Sequence, residues 1–504
     1  MKPVAAAWLC LAGVAGPARA AVPVDPVEQF ACEALKAIDF SEAAGATVEL
    51  TAVGMLAPAG DQPALCRVGG RIDPQVGFEV RLPAANWNGK LLVTGCTNLC
   101  GVMPVQGMED ALARGYATAT TDLGHQTGDP ADARWALDNL ALEADFGHRA
   151  THVTTRVAKE LVADYYGDRP AYAYFRGCST GGRQALVAAE RYPDDYDGII
   201  AGAPFNQSLS VPHMAWALAA NTGPDGSPVL RAPQFALLGR AALEACDATD
   251  GRTDGVIGDP PSCAFRPEDL LCPADAGAGG MADCLRPAQV EAARRIYAGP
   301  VTSSGKPWSS GGAPVGSEFT WAQSLLAPPG KTPFFGFIVD NWSRYLAYVP
   351  DPPEPPAVDF GAGPGQFAAT AAVAGFRPDL ARFRARGGRL LVYHGWADES
   401  LMPAHTLDYW HEAEGRLGAA RLADFARLYL VPGMLHCGGG PGAADIDYLT
   451  ALERWVEAGE PPATLTAHKV RNPARTFERQ PRFPLPPASV EYTREILPWP
   501  GKAP

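Results

Sequence analysis

Positive charge is in short supply. Forty-two lysines and arginines (42) stand against 55 aspartates and glutamates, a formal net charge of −13. So acidic a chain has little to offer a nucleic-acid backbone or an anionic membrane, and neither is expected as a partner. Long apolar runs are scarce as well. After the first twenty residues no uninterrupted stretch is long enough to span a bilayer. These absences exclude partners without naming a substrate or an oligomeric state.

The first twenty residues differ from the rest. Lys2 precedes an apolar segment from Val4 to Val14, and Ala18-Arg19-Ala20 suits a cleavage site. Residues 1–20 therefore read as a signal peptide, with a secreted or periplasmic destination. Of the 11 cysteines, Cys10 falls inside that segment, which leaves an even set for disulfides in an exported chain. Counting does not give their connectivity. Cys32 and Cys66 are placed to staple the β- and loop-rich residues 21–85, and Cys96 and Cys100 to close a local loop. Cys272 and Cys284 join the set without an assigned pairing.

The 504 residues, with 54 Gly and 48 Pro, leave room for a large core plus a second domain or a big insertion. Strand patterns at Gly89–Gly95, Tyr116–Thr121, Ala171–Phe175 and Tyr196–Ala201 alternate with helix patterns at Phe146–Tyr166 and Arg183–Arg191. That alternation predicts a parallel sheet covered by helices. It breaks near Phe205 and resumes near Pro378, with a strand at Arg389–His394, a helix at Ala404–Glu414, a strand at Leu428–Pro432 and a helix at Asp445–Ala458. The simplest account is an α/β-hydrolase-like catalytic domain (21–204 and 379–504) interrupted by a lid domain (205–378). An insertion entering after the strand that follows the central turn would lie over the sheet's C-terminal edge, where open α/β folds bind ligands.

The central turn is Arg176-Gly177-Cys178-Ser179-Thr180-Gly181-Gly182, a G-x-S-x-G sequence between a strand and a helix. This is the setting of a nucleophile elbow, with Ser179 exposed above the sheet. A serine hydroxyl is a poor nucleophile unless a base takes its proton and a carboxylate orients that base. In the α/β-hydrolase order of Ser, then Asp, then His, the chain offers Ser179, Asp398 and His436, the last two in loops just after predicted strands. Glu399, His394 and His405 compete for these roles. Glu399 is out of phase by one residue, and His394 lies within its strand and reads as packing that could shape the site. His125 reads as structural. The oxyanion donors are expected at the backbone of Thr180 and of Gly95 or Cys96. Cys178 adjoins Ser179 and Cys437 adjoins His436, so contact within the triad would bring the two sulfurs into bridging range.

One acidic loop stands apart, Cys246-Asp247-Ala248-Thr249-Asp250-Gly251-Arg252-Thr253-Asp254-Gly255-Val256. Its carboxylates and tight turns suit a hard cation held by oxygen, and the spacing is not that of an EF-hand. Asp247, Asp250 and Asp254 would bind Ca2+ through side chains and Arg252 and Val256 through carbonyls, with Cys246 and Cys263 clamping the loop.

Together, Gly177-Cys178-Ser179, Asp398, His436-Cys437 and the Cys-Asp-x-x-Asp-Gly-x-x-Asp-Gly-Val loop resemble the tannase and feruloyl esterase family, which includes mono(2-hydroxyethyl) terephthalate hydrolase. The resemblance covers nearly all of the chain after residue 20. It implies a disulfide between the adjacent cysteines, a structural calcium, a lid that supplies most substrate contacts, and a serine esterase acting on small aromatic esters of feruloyl, galloyl or terephthalate type. The oxyanion segment Gly95-Cys96-Thr97-Asn98 has less glycine than the family's. Tryptophans in the insertion (Trp216, Trp308, Trp321 and Trp342) would suit an aromatic acyl group. The competing readings are a serine peptidase on the same fold and a calcium-dependent binding protein with a degenerate site.

Overall fold

The computed structural model describes residues 25–60, 62–273, 283–354, 356–471 and 481–501. The expected signal peptide lies outside the described residues.

Alternating and continuous apolar patterns produce eleven strands among these residues: β1 (Val48–Leu56), β2 (Leu65–Ile72), β3 (Val76–Pro83), β4 (Lys90–Thr94), β5 (Ala117–Thr121), β6 (Tyr172–Cys178), β7 (Gly198–Gly202), β8 (Arg389–Gly395), β9 (Ala426–Val431), β10 (Leu465–Val470) and β11 (Val490–Ile496). Nine form one sheet in the order β1-β2-β3-β5-β4-β6-β7-β8-β9. The β1, β2, β3 and β5 pairings are antiparallel, and those from β5 to β9 are parallel. β10 and β11 form a separate antiparallel hairpin.

The parallel strands read as unbroken apolar runs because helices cover both faces. Leu91, Leu92 and Val93 of β4, and Ile199, Ile200 and Ala201 of β7, are fully buried. Each large aliphatic side chain placed there contributes about 1.5–3 kcal/mol. The helix after β6, Thr180–Arg191, is buried along most of its length. Its Arg183 lies in the interior, where its Nη atoms donate to the carbonyls of Phe146 and Gly147 at 2.8 Å.

Between β7 and β8 the described residues contain helices and turns but no strand of the sheet. The longer helices are Gln207–Ala220, Ala232–Cys246, Pro287–Ala298 and Phe334–Tyr345. The periodicity of the first was hard to read in the sequence for a physical reason. The first helix carries Pro212 inside it and buries residues around most of its circumference, so no polar face marks it. No helix among the described residues is long and apolar enough to cross a membrane.

Among the described residues five disulfides are formed: Cys32–Cys66, Cys96–Cys100, Cys178–Cys437, Cys246–Cys263 and Cys272–Cys284. Two of them lie within the insertion, and one joins the end of β6 to the loop after β9.

Candidate active site

β6 ends in a turn that only small residues permit. A Cβ on Gly177 would stand 2.5 Å from the backbone of Gly181, and one on Gly182 would stand 2.1 Å from the Gly202 carbonyl oxygen. Between them Ser179 adopts φ 64°, ψ −121°, a region that costs a non-glycine residue roughly 1–3 kcal/mol. Hydrogen bonds hold it there. The Ser179 N–H donates to the Gly202 carbonyl at 3.0 Å, and the Ser179 carbonyl accepts from Phe205 N–H at 3.0 Å. Thr180 begins the helix, so its N–H has no acceptor within that helix.

The loops after β8 and β9 meet through another glycine. A Cβ on Gly395 would come within 2.2 Å of the Met434 carbonyl oxygen, to which Ala397 N–H donates at 3.0 Å. This close approach brings Asp398 to His436, with Asp398 Oδ2 2.7 Å from His436 Nδ1. Asp398 is fully buried, and its Oδ1 accepts from the amides of Ser400 and Leu401 at 3.0 and 2.9 Å. Burial alone would raise its carboxyl. The charge of His436 and the hydrogen bonds from His394 and His436 outweigh burial and hold Asp398 well below the usual carboxylate range.

Ser179 and His436 line the same cavity of about 670 Å³. The Cys178–Cys437 disulfide joins their chain neighbours with Cα atoms 5.9 Å apart, which ties the serine turn to the histidine loop. The three segments are thus brought together around one pocket.

The expected donors Gly95 and Cys96 need correction. Gly95 N–H donates to the Arg176 carbonyl at 2.9 Å, and Cys96 N–H to Gln184 Oε1 at 3.0 Å, so both amides are already engaged. The residue of that segment on the cavity wall is Asn98, and the Thr180 hydroxyl hydrogen-bonds to its carbonyl. Gln184 lies one helical turn after Thr180. That i, i+4 spacing is the sequence signal that would have found it.

His394, which the sequence suggests as packing, touches Asp398. His394 Nε2 lies 3.1 Å from Asp398 Oδ2 and 2.6 Å from the Leu401 carbonyl oxygen, while Nδ1 lies 2.8 Å from Thr406 Oγ1. A proton on Nε2 satisfies all three contacts, with the Thr406 hydroxyl donating to Nδ1. His405 sits further back, 3.2 Å from Ser210 Oγ. His125 stacks on Trp135, and burial pushes its pKa down to about 4.

The insertion's tryptophans do not form the aromatic wall. Trp308, Trp321 and Trp342 are buried within the insertion's own packing, and Trp216 Nε1 donates to the Arg295 carbonyl. None of the four lines the cavity; the aromatic surface there comes from Phe205 and Phe334, with Met214 and Ile338 beside them.

In the acidic loop, Asp247 Oδ1 accepts from the amides of Asp254, Gly255 and Val256 at 3.0–3.2 Å, and the Cys246–Cys263 disulfide closes the segment. Asp250 pairs with Arg494 of β11, and Asp254 Oδ2 lies 3.6 Å from the same guanidinium. The donor set is all oxygen and fits a hard cation in kind. Among the described residues, however, no three acidic, cysteine or histidine side chains converge into a metal site, and Arg494 supplies the positive charge.

The sheet order, the strained serine turn and the order Ser, Asp, His define an α/β hydrolase. Residues 60–332 and 369–504 match the family described as "Tannase and feruloyl esterase", and the chain belongs to that family. It is 34% identical to mono(2-hydroxyethyl) terephthalate hydrolase of Piscinibacter sakaiensis, over 87% of this chain and 85% of that protein. It is 28% identical to feruloyl esterase B of Aspergillus niger, over 91% and 92%. The solved structure of feruloyl esterase B from Aspergillus oryzae superposes with a TM-score of 0.77 at 26% identity, covering 94% of this chain and 96% of that one. A tannin acyl hydrolase from Aspergillus niger shares the fold with a TM-score of 0.70 at 21% identity, covering 90% and 88%. The protein is a carboxylic ester hydrolase.

Proposed function

We propose that the protein is an exported serine esterase that hydrolyses esters of aromatic carboxylic acids through an acyl-enzyme. The observation that carries this reading is the cavity shared by Ser179 and His436, with Asp398 held 2.7 Å behind the histidine and an apolar, partly aromatic wall opposite. The names of the relatives, a feruloyl esterase and a terephthalate monoester hydrolase, support the aromatic class.

In the proposed reaction Ser179 Oγ attacks the ester carbonyl while His436 Nε2 takes its proton, and Asp398 orients the ring and stabilises the imidazolium. The tetrahedral oxyanion is received by the backbone N–H of Thr180 and by that of Asn98. His436 then protonates the leaving alcohol, and water, activated by the same nitrogen, releases the acid. The insertion acts as a lid that carries much of the acyl-binding wall. Calcium, when bound, is structural. Asp247, Asp250 and Asp254 would hold it with the carbonyls of Arg252 and Val256. Five disulfides and the charged, apolar and small-residue order of residues 1–20 support export.

The test is a panel of methyl gallate, methyl ferulate and hydroxyethyl terephthalate, with Ser179→Ala as control. Turnover of at least one ester, lowered by roughly 10⁴-fold or more in the variant, is expected. Equal rates in the two proteins would defeat the proposal.

A further inference from the structure

The residue after the triad aspartate is a second acid. The tight turn that presents Asp398 to His436 carries Glu399 onto the cavity wall, where it is only 8% exposed. Its Oε1 accepts from Ser324 Oγ at 2.9 Å, so the insertion fixes the carboxylate in place. Thr320, at the head of the same short helix, lines the cavity beside it. Among the described lining residues Glu399 is the one side chain, apart from His436, that carries or takes a charge, and the same lining includes the apolar Phe205, Met214, Phe334 and Ile338.

Resting on the serine-esterase reading above, we propose that Glu399 determines acyl specificity: its carboxylate accepts a hydrogen bond from a donor on the acyl ring, such as a phenolic hydroxyl, and turns away acyl groups bearing a second carboxylate. An ionised carboxylate offers about four acceptor positions; the hydroxyls of Ser324 at 2.9 Å and Ser400 at 3.4 Å both stand at Oε1, which leaves acceptor capacity on Oε2. Beside the apolar side chains of this pocket a carboxylate with unfilled acceptor positions is unfavourable, and a second anion placed next to it more so. Burial, reinforced by the negative charge of Asp398, pushes the Glu399 carboxyl upward, and a donor from the ligand relieves that penalty.

The experiment compares kcat/KM for methyl benzoate, methyl gallate and the monomethyl esters of terephthalic and isophthalic acid, in the wild type and in Glu399→Gln. Gallate places hydroxyls at both meta and para positions, and the two diacid monoesters place a carboxylate at each. All four present the same methyl ester to Ser179 and His436, so effects of the substitution on the triad cancel in the ratios. The wild type is expected to favour gallate over benzoate by about tenfold or more and to disfavour both diacid monoesters. Glu399→Gln should shrink the first preference and raise the relative rate on the diacid monoesters about tenfold. Ratios unchanged by the substitution overturn the inference. If the variant does not fold, a wild-type gallate-to-benzoate ratio near one, or a preference for a diacid monoester, overturns it. Failure of the esterase reading looks different: no turnover of any of the esters by the wild type.

Discussion

At the scale of the residue, the aspartate of the proposed triad is held by a second histidine behind it. His394 is buried, its Nε2 faces both Asp398 Oδ2 and the Leu401 carbonyl, and Thr406 holds its other nitrogen. Replacing it by phenylalanine leaves buried polar partners unsatisfied, at a cost of about 1–3 kcal/mol each, and frees Asp398 to turn. His394→Phe should therefore lower kcat by roughly 10- to 100-fold with KM little changed. His394→Gln keeps a donor near Nε2 and should recover part of the loss. Steady-state kinetics on one ester, alongside a melting curve, separates this positioning role from general destabilisation. The positions of Ser179, Asp398 and His436 at strand ends were legible because each follows a strand pattern in the order Ser, Asp, His. The part played by His394 was not, because a histidine at a strand end looks the same whether it packs or donates; only the fold of the next seven residues back onto it decides. The amides of Gly95 and Cys96 were misjudged as free donors for a similar reason. Gly95 and Cys96 have the right composition, but their amides are engaged by Arg176 and Gln184, and a sequence does not show where an N–H points.

At the scale of the element, two strand-end loops far apart in the chain must stay in register. Gly395 lets them approach, and the Cys178–Cys437 disulfide locks the serine turn to the histidine loop across 259 residues. In the chain-entropy view a closure of that length contributes about 5 kcal/mol. The double variant Cys178→Ala, Cys437→Ala should lose stability of that order by denaturant unfolding. Its kcat should fall more than its KM rises, since the link constrains nucleophile and base rather than the acyl wall. A full-activity variant with reduced stability would limit the bridge to a stabilising role. The parallel strands were readable because both faces are buried and their apolar runs are continuous. The helix Gln207–Ala220 of the insertion was not, because Pro212 and burial around most of its circumference erase the polar face that marks a helix, and the insertion's tryptophans turned out to pack the insertion itself.

At the scale of the whole molecule, the acidic loop links the insertion to the C-terminal hairpin, because Arg494 of β11 reaches Asp250 and Asp254. Calcium bound there would compete with the guanidinium for the same carboxylates. If the proposed site is right, added calcium should raise the melting temperature and a chelator should lower it, both effects vanishing in an Asp250→Asn, Asp254→Asn double variant. A melting curve insensitive to both additives would mean that Arg494 alone balances the loop. The sequence pattern showed the carboxylates but could not show the arginine, which arrives from 244 residues beyond Asp250 through the hairpin β10–β11, an element no strong periodicity announced.

The central claim is that Ser179, activated by His436, is the group that receives the acyl chain. The most direct test is mass mapping after treatment of the folded protein with a fluorophosphonate, which reacts with an activated serine. The account predicts one adduct, on the peptide containing Ser179, lost in Ser179→Ala and strongly slowed in His436→Ala. Ester hydrolysis that continues while Ser179 remains unmodified would contradict it.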